Sequence, residues 1–155
     1  MIDIRTILCP VDFSANSEHA LEYALALAQA YHAELVLLHV VQPATYGVDP
    51  IGAGVALPSL MTKEMNDAAL AQLRELTARV QPRYALVSPL LITGVPFLEI
   101  IHQARERQVD LIVMGTRGRS GLSHILIGSC AERVVRKAPC PVLTVKHPEH
   151  DFIMP

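Results

Sequence analysis

The residues best suited to chemistry in this chain are glycines that recur at short intervals. Gly115, Gly118 and Gly121 follow an apolar run, and Gly128 with Ser129 opens a segment of helical character. Glycine lets backbone N–H groups approach a ligand with no Cβ in the way, and the amino end of a helix attracts negative charge. Ser129 can add a hydroxyl donor. The spacing therefore predicts a cradle for an anion such as a phosphate.

The predicted cradle differs from the commonest nucleotide-binding loops. The chain contains no GxxxxGK[ST] motif, and its first strand-to-helix turn, Cys9 to Ser14, lacks GxGxxG. A tight turn that needs positive φ would explain one or two glycines, but not a spaced set that ends at a helix start. The anion must be held by another arrangement.

Charged groups near the glycines suit the same ligand. Arg117 and Arg119 both fit solvated loop charges, but Arg119 is favoured for contact with a phosphate because it lies inside the glycine pattern. Asp12 follows the first apolar run, where its carboxylate can accept from ribose hydroxyls or hold a phosphate-bound Mg²⁺. The alternative for Asp12 is a charge that complements the dipole of the following helix.

No catalytic residue is assigned. A hydrolase needs a base or a water-positioning group beside the reacting phosphate. The glycine segment offers neither carboxylate nor histidine before His124, which we interpret as a surface residue. Cys9, Cys130 and Cys140 form an odd set without CxxC spacing, so we expect buried thiols in a reducing cytosol rather than disulfides or a zinc site.

Composition limits the organisation of the chain. The 155 residues are 51% apolar and 18% charged, enough for one buried core, which predicts one domain over 1–147 and a tail over 148–155. A net charge of −2 supplies no field to hold nucleic acid or an anionic membrane. Because neither a signal-like start nor a membrane-length apolar run occurs, we expect a cytoplasmic protein.

Short apolar runs predict the strands that position these groups. They are continuous rather than alternating, as in a parallel sheet that is covered on both faces. The runs are Ile7 to Val11, Leu35 to Val41, Leu90 to Thr93, Leu111 to Met114 and Pro141 to Val145. Helical patterns separate them, at Ser17 to His32, Thr62 to Arg79, Pro96 to a point before Asp110, and Gly128 to Lys137.

This alternation predicts a single-domain α/β fold with a doubly wound, open, parallel five-stranded sheet of Rossmann-like type. Pro89 cannot donate to a ladder, so the third strand belongs at an edge, which fits the strand order 3-2-1-4-5. Ligands bind such sheets where the strand order reverses, here between strands 1 and 4. Val11, Val40 and Met114 would form an apolar slot for a purine there, although any such fold would also bury them.

Two segments lie outside the main pattern. Residues 42–60 hold three prolines and three glycines without periodicity, which predicts either a lid or contact surface, or a variable loop without a role. The fifth strand, Pro141 to Lys146, should form an apolar sheet edge, and such edges usually find a partner.

The full motif Gly115-x2-Gly118-x9-Gly128-Ser129 resembles the ATP-binding branch of the universal stress protein (UspA-like) family at every fixed position. The likeness covers the chain except 42–60 and the tail, through Pro10-Val11-Asp12-Phe13-Ser14, Leu38-His39-Val40, Asp110 to Met114 and Pro139 to Leu143. It implies a sheet of the adenine nucleotide α-hydrolase type, and ATP or another adenine nucleotide as ligand.

The resemblance also implies a role for each matching residue. Phosphates and ribose would lie against Gly115, Gly118, Arg119, Gly128, Ser129 and Cys130, and adenine against Pro10, Val11, Asp12, Val40 and Met114. A homodimer would form by antiparallel pairing of the fifth strand across a two-fold axis. We therefore expect a nucleotide-gated regulatory or stress-response dimer without efficient catalysis, whose nucleotide alters a surface that another protein reads.

Two alternative functions stay open: a slow ATPase, and a dimeric interaction scaffold that binds no nucleotide. Members of the scaffold branch lack the spaced glycines that this chain keeps. ATP pyrophosphatases use a related sheet, but their first strand carries an SGGxDS loop where this chain has Cys-Pro-Val-Asp-Phe-Ser. That departure argues against pyrophosphatase chemistry.

Overall fold

The computed structural model describes residues 1–43, 57–118 and 127–148, without the side chains of 57–62. Strands and helices alternate over these residues as β1 (Thr6–Pro10), α1 (Ala15–Tyr31), β2 (Glu34–Val41), α2 (Leu57–Val80), β3 (Val87–Thr93), α3 (Pro96–Glu106), β4 (Leu111–Gly115), α4 (Ser129–Lys137) and β5 (Val142–Val145). The strands form one parallel sheet in the order β3-β2-β1-β4-β5. The predicted fold class and strand order are confirmed.

Two element boundaries differ from the predicted ones by more than two residues. α2 begins at Leu57, so residues 57–60, predicted to be irregular, are helical; Pro58 suits this position because its fixed φ fits the first turn of a helix. Residues 44–56 of that segment lie outside the described residues. β3 begins at Val87 and contains Pro89, which is tolerated because β3 is an edge strand, as predicted.

Side-chain alternation along the strands builds a core on each face of the sheet. On one face, Cys9, Leu37 and their neighbours pack against α1 and α2. On the other face, Leu38, Met114 and their neighbours pack against α3 and α4. A fully buried leucine of this kind contributes roughly 1.5–3 kcal/mol to stability. The alternation also decides which side chains can reach a ligand on a given face.

Helix α1 has a defined cap at each end. Ser14 is the N-cap of α1, and its Oγ accepts from the Ser17 N–H at 3.3 Å. His32 ends the same helix in a left-handed conformation with φ of 56°.

In the part of the chain that the structure describes, no helix is both long and apolar enough to cross a membrane.

Candidate functional site

A cavity of about 340 Å³ opens at the carboxyl ends of the central strands β1 and β4, where the strand order reverses. Its volume lies within the range of small-molecule sites. Of the predicted site residues, ten line it: Pro10, Val11, Asp12, Val40, Met114, Gly115, Gly118, Gly128, Ser129 and Cys130. Arg119 lies outside the described residues.

The glycines of the cavity serve close approach rather than an unusual backbone angle. Gly115, Gly118 and Gly128 all lie outside the left-handed region of φ. A Cβ on Gly118 would stand 3.0 Å from Asp12 Oδ2, and one on Gly115 would stand 3.1 Å from the carbonyl oxygen of Asn16. Turn geometry therefore does not explain these glycines, since what they permit is contact between the β4 loop and the start of α1.

The amino end of α4 points its first turn at the cavity. Its N-cap is Gly128, which makes no side-chain hydrogen bond, and the Gly128 N–H donates to the Thr116 carbonyl at 2.6 Å. Ser129, Cys130 and Ala131 follow, and all three line the cavity. The first N–H groups of a helix have no acceptor within the helix. This end of α4 can therefore donate to an anion.

Asp12 lies opposite, in the turn between β1 and α1. Its Oδ1 accepts from the N–H of Ser14 at 3.0 Å and from the Ser14 hydroxyl, while its own N–H donates to Ser17 Oγ at 3.3 Å. Its Oδ2 is the atom that approaches Gly118. One oxygen of the carboxylate therefore supports the start of α1, and the other faces the glycine loop.

The apolar end of the cavity has a different composition from the predicted slot. Val40 and Met114 belong to the core cluster on the α3 and α4 side, as does Leu38, and all three line the cavity. Val11 also lines it, but its side chain packs in the cluster on the opposite face with α1. The slot therefore consists of Leu38, Val40 and Met114, completed by Pro96 and Ile100 of α3.

Several cavity residues were missed by sequence reasoning. His39 gave a signal, because it is the one strongly polar side chain inside an apolar strand. Ser17 and Thr116 are buried polar residues next to the strand ends. The α3 residues gave no signal, since their contact depends on how α3 packs. The full set of additions is Ser17, Leu38, His39, Gln42, Pro96, Ile100, Thr116 and Ala131, with Arg117 also at the wall.

The thiols of the chain are protonated structural groups. Burial raises the pKa of Cys130, the Asp12 carboxylate raises it further, and Arg133 opposes both. Burial raises the pKa of Cys9 to about 12. All three cysteines are free, but only Cys9 is fully buried, so the prediction of buried thiols is wrong for Cys130 and Cys140. Cys130 can therefore donate at neutral pH but is a poor nucleophile.

Metal ligands are sparse at this site. Within the described ranges, no group of three or more His, Cys, Asp or Glu side chains could hold a metal ion. Asp12 is the one carboxylate among the described residues that line the cavity.

The five-stranded parallel sheet, with helices on both faces, defines an α/β protein of the Rossmann-like class. Comparison with known sequences assigns the chain more closely: the profile described as "Universal stress protein family" matches residues 3–146. The chain belongs to the universal stress protein family.

Individual relatives support this assignment along most of the chain. Universal stress protein MJ0531 of Methanocaldococcus jannaschii is 35% identical over 147 residues, which cover 95% of this chain and 85% of the relative. The solved structure of MJ0577 from the same organism has a TM-score of 0.83 at 28% identity, covering 95% of this chain and 99% of its own. A universal stress protein solved in complex with cAMP is 24% identical, with a TM-score of 0.68, 92% coverage of this chain and 97% of that chain.

Proposed function

We propose that this chain binds ATP, or another adenine nucleotide, in the cavity between β1 and β4 and acts as a regulatory homodimer without efficient hydrolysis. One observation carries the proposal: a single cavity joins the spaced glycines, the start of α4 with its glycine N-cap, and an apolar slot. A nucleotide has the matching parts, since it combines anionic phosphates with a flat apolar base.

Phosphates fit the polar end of the cavity. Gly118 has no side chain, so its backbone N–H can approach a phosphate without a Cβ in the way. Ser129 and the α4 N–H groups would donate to phosphate oxygens, and Arg119 would supply charge from within the glycine motif. Asp12 would accept from ribose hydroxyls or contact a phosphate-bound Mg²⁺.

The base fits the apolar end, where Val40, Met114 and Pro96 line the wall. The related structure with cAMP shares the fold at 24% identity, so the choice of ligand rests on this chain's own residues. A slot of this kind accepts any adenine nucleotide, and the experiment below compares three of them.

We do not expect the described residues that line the cavity to hydrolyse ATP efficiently. Asp12 and His39 supply the only carboxylate and imidazole among the described lining residues. Asp12 accepts from Ser14, and His39 Nδ1 bonds the Val11 carbonyl. Both groups are thus engaged in holding the turn, which makes either a poor base for an attacking water.

The test is calorimetric titration with ATP, AMP and cAMP, with and without Mg²⁺, on the chain and on Gly118→Val. The larger side chain would collide with Asp12 Oδ2, so we expect micromolar ATP binding that falls at least about 100-fold in the variant, about 2.7 kcal/mol. Ala85→Val, an exposed change at the opposite end of the sheet, is the matched control. No binding of any nucleotide would leave the scaffold function, and steady ADP release would favour the slow ATPase.

The proposed dimer forms through β5 and its flanks, Pro141 to Lys146. The carbonyls of Pro141 and Val145 accept from Ile112 and Thr116 on the β4 side. The N–H and C=O groups of successive residues point to opposite edges of a strand. Those of Thr144 therefore point away from β4, to the outer edge of the sheet. Leu143 on this edge is 37% exposed.

Thr144→Pro tests the dimer, because it removes an outward N–H and leaves the bonds to β4 in place. Sedimentation velocity should show monomers for Thr144→Pro and dimers for Thr144→Ala. A folded Thr144→Pro protein that still sediments as a dimer would rule out pairing through β5.

The regulatory step proposed here is that nucleotide fixes the glycine cradle and so alters a surface that another protein reads. Hydrogen exchange should slow at 115–118 and 127–131 on adding ATP; unchanged exchange would contradict gating. We place this activity in the cytoplasm, in keeping with three free cysteines.

A further inference from the structure

His39 is a buried polar residue in an apolar strand. Its exposed fraction is 8%, and it lies in β2 between Leu38 and Val40, on the wall of the cavity. A buried imidazole costs stability unless it is hydrogen-bonded. The groups that the His39 ring contacts therefore indicate the role of this side chain.

The imidazole holds the residue before Asp12. His39 Nδ1 lies 2.7 Å from the carbonyl oxygen of Val11. A carbonyl can only accept, so Nδ1 carries the proton. The Val11 N–H already donates to the Leu38 carbonyl at 2.8 Å, which extends the β1–β2 ladder past the end of β1. The next acceptor of that ladder, the Val11 carbonyl, is taken by the His39 side chain.

The same ring holds the residue after Asp12. Phe13 has φ of 63°, a left-handed conformation that is unfavourable for a bulky residue. Its ring packs against the His39 ring with a centroid distance of 4.5 Å and an interplanar angle of 37°. A strained turn persists when its surroundings over-determine it, and this contact is one such constraint.

We propose that His39 is a positioning residue, which fixes the Asp12 carboxylate against the glycine loop by holding Val11 and Phe13 on either side of it. This inference rests on the proposed function, in which the same cavity binds an adenine nucleotide. Asp12 is the residue that contacts the ligand, and His39 acts through it.

The test compares ATP affinity in His39→Leu and His39→Asn. Leucine removes the donor to Val11, and we expect an about tenfold loss of affinity, the size of one buried hydrogen bond. The amide nitrogen of asparagine replaces Nδ1 as donor, so His39→Asn should recover most of that loss. His102→Leu, which replaces an exposed histidine of α3, is the matched control and should leave affinity unchanged.

A double-mutant cycle distinguishes positioning from a general structural role. In an Asp12→Asn background, His39→Leu should change ATP affinity by less than about twofold. The carboxylate through which His39 acts on the ligand is absent in that background. An equal loss in both backgrounds would overturn the proposal. If His39→Leu does not fold, Phe13→Leu, which removes the ring contact to His39, takes its place in the cycle.

A spectroscopic measurement keeps the inference separate from the nucleotide function. Without any ligand, His39→Leu should shift the carboxyl ¹³C resonance of Asp12, and long-range ¹H–¹⁵N spectra of the parent chain should show the proton on Nδ1. If no nucleotide binds, the proposed function fails and this measurement alone decides the role of His39. An unmoved Asp12 resonance would overturn the positioning role while leaving nucleotide binding intact.

Discussion

The amino ends of α1 and α4 stand on either side of the same crevice and are built in opposite ways. At α1, Ser14 caps the helix with its own hydroxyl, and Glu18 adds a carboxylate in the first turn. At α4, Gly128 is the N-cap, and it makes no side-chain bond to the helix. The α1 start therefore has a side-chain cap from its own N-cap residue, whereas the N-cap residue of α4 supplies none.

Side-chain contacts also tie α1 to the segment around the end of α2. Glu18 and Glu22 of α1 pair with Arg79 and Arg83 at the α2 end, at 3.0 and 2.7 Å. Tyr84 OH donates to the carbonyls of Ala28 and Ala33 at the other end of α1. The comparison indicates that changes at the start of α1 should alter stability, whereas changes at the start of α4 should alter binding.

The largest difference between the two helix starts is expected from Gly128→Asp, which gives α4 a side-chain cap of its own. The N-cap already has extended angles, φ −71° and ψ 157°, so an aspartate can cap the helix and fill the anion site with its own charge. We expect ATP affinity to fall about 100-fold. The urea midpoint should match that of Gly128→Asn, because both side chains can cap the helix and both place a Cβ 3.3 Å from the Thr116 carbonyl oxygen. Gly128→Asn, a neutral cap of the same size, should lose far less affinity. Equal losses in the two variants would argue for a steric effect instead.

A smaller effect on binding is expected from Ser129→Ala. Loss of one hydroxyl donor to phosphate should weaken ATP binding by about fivefold, close to 1 kcal/mol, with no change in the urea midpoint. Ser88→Ala, in β3 and bonded to Glu34, is the control. Unaltered affinity in Ser129→Ala would remove this residue from the site.

At α1 the opposite result is expected. Ser14→Ala removes the cap to Ser17 and the hydroxyl bond to Asp12, so the free energy of unfolding should fall by about 1 kcal/mol in urea titrations. ATP affinity should change little, because the Ser14 N–H still holds Asp12. Ser14→Thr should restore stability. A loss of affinity larger than the loss of stability would contradict the contrast.

The smallest effect concerns the brace between Glu22 and Arg83. The hydrogen bond from Arg83 lowers the pKa of Glu22 below its ordinary 4.5. A lowered folded-state pKa adds stability above that ordinary value, and the addition is lost as pH falls through the folded value. Glu22→Gln should therefore be less stable than the parent at neutral pH and equal to it in strong acid. Thermal melts across pH, with Arg83→Gln as the partner variant, would show no such convergence if the pair were unformed.

Much of this arrangement was predictable from local signals. Continuous apolar runs indicated a parallel sheet, Pro89 placed β3 at the edge, and the glycine spacing located the cavity wall at the end of β4. These features depend on residue type and short-range geometry alone.

The remainder depends on contacts between distant parts of the chain. Val11 follows the end of β1, so the face that its side chain joins was set by packing against α1. The hydrogen bond from His39 to Val11 joins residues 28 positions apart, and no periodic pattern in the sequence indicates it. The left-handed Phe13 is likewise held by tertiary contact rather than by its own propensity.

The most direct test of the account is to follow backbone amide resonances while ATP is added to the ¹⁵N-labelled chain. The account predicts that the largest shifts occur at Ser129, Cys130 and Ala131 and at Gly118, with much smaller ones at Ala15 and Glu18 at the start of α1. Shifts of equal size at the two helix starts, or none at α4, would contradict the claim that α4 is the end left open for the nucleotide.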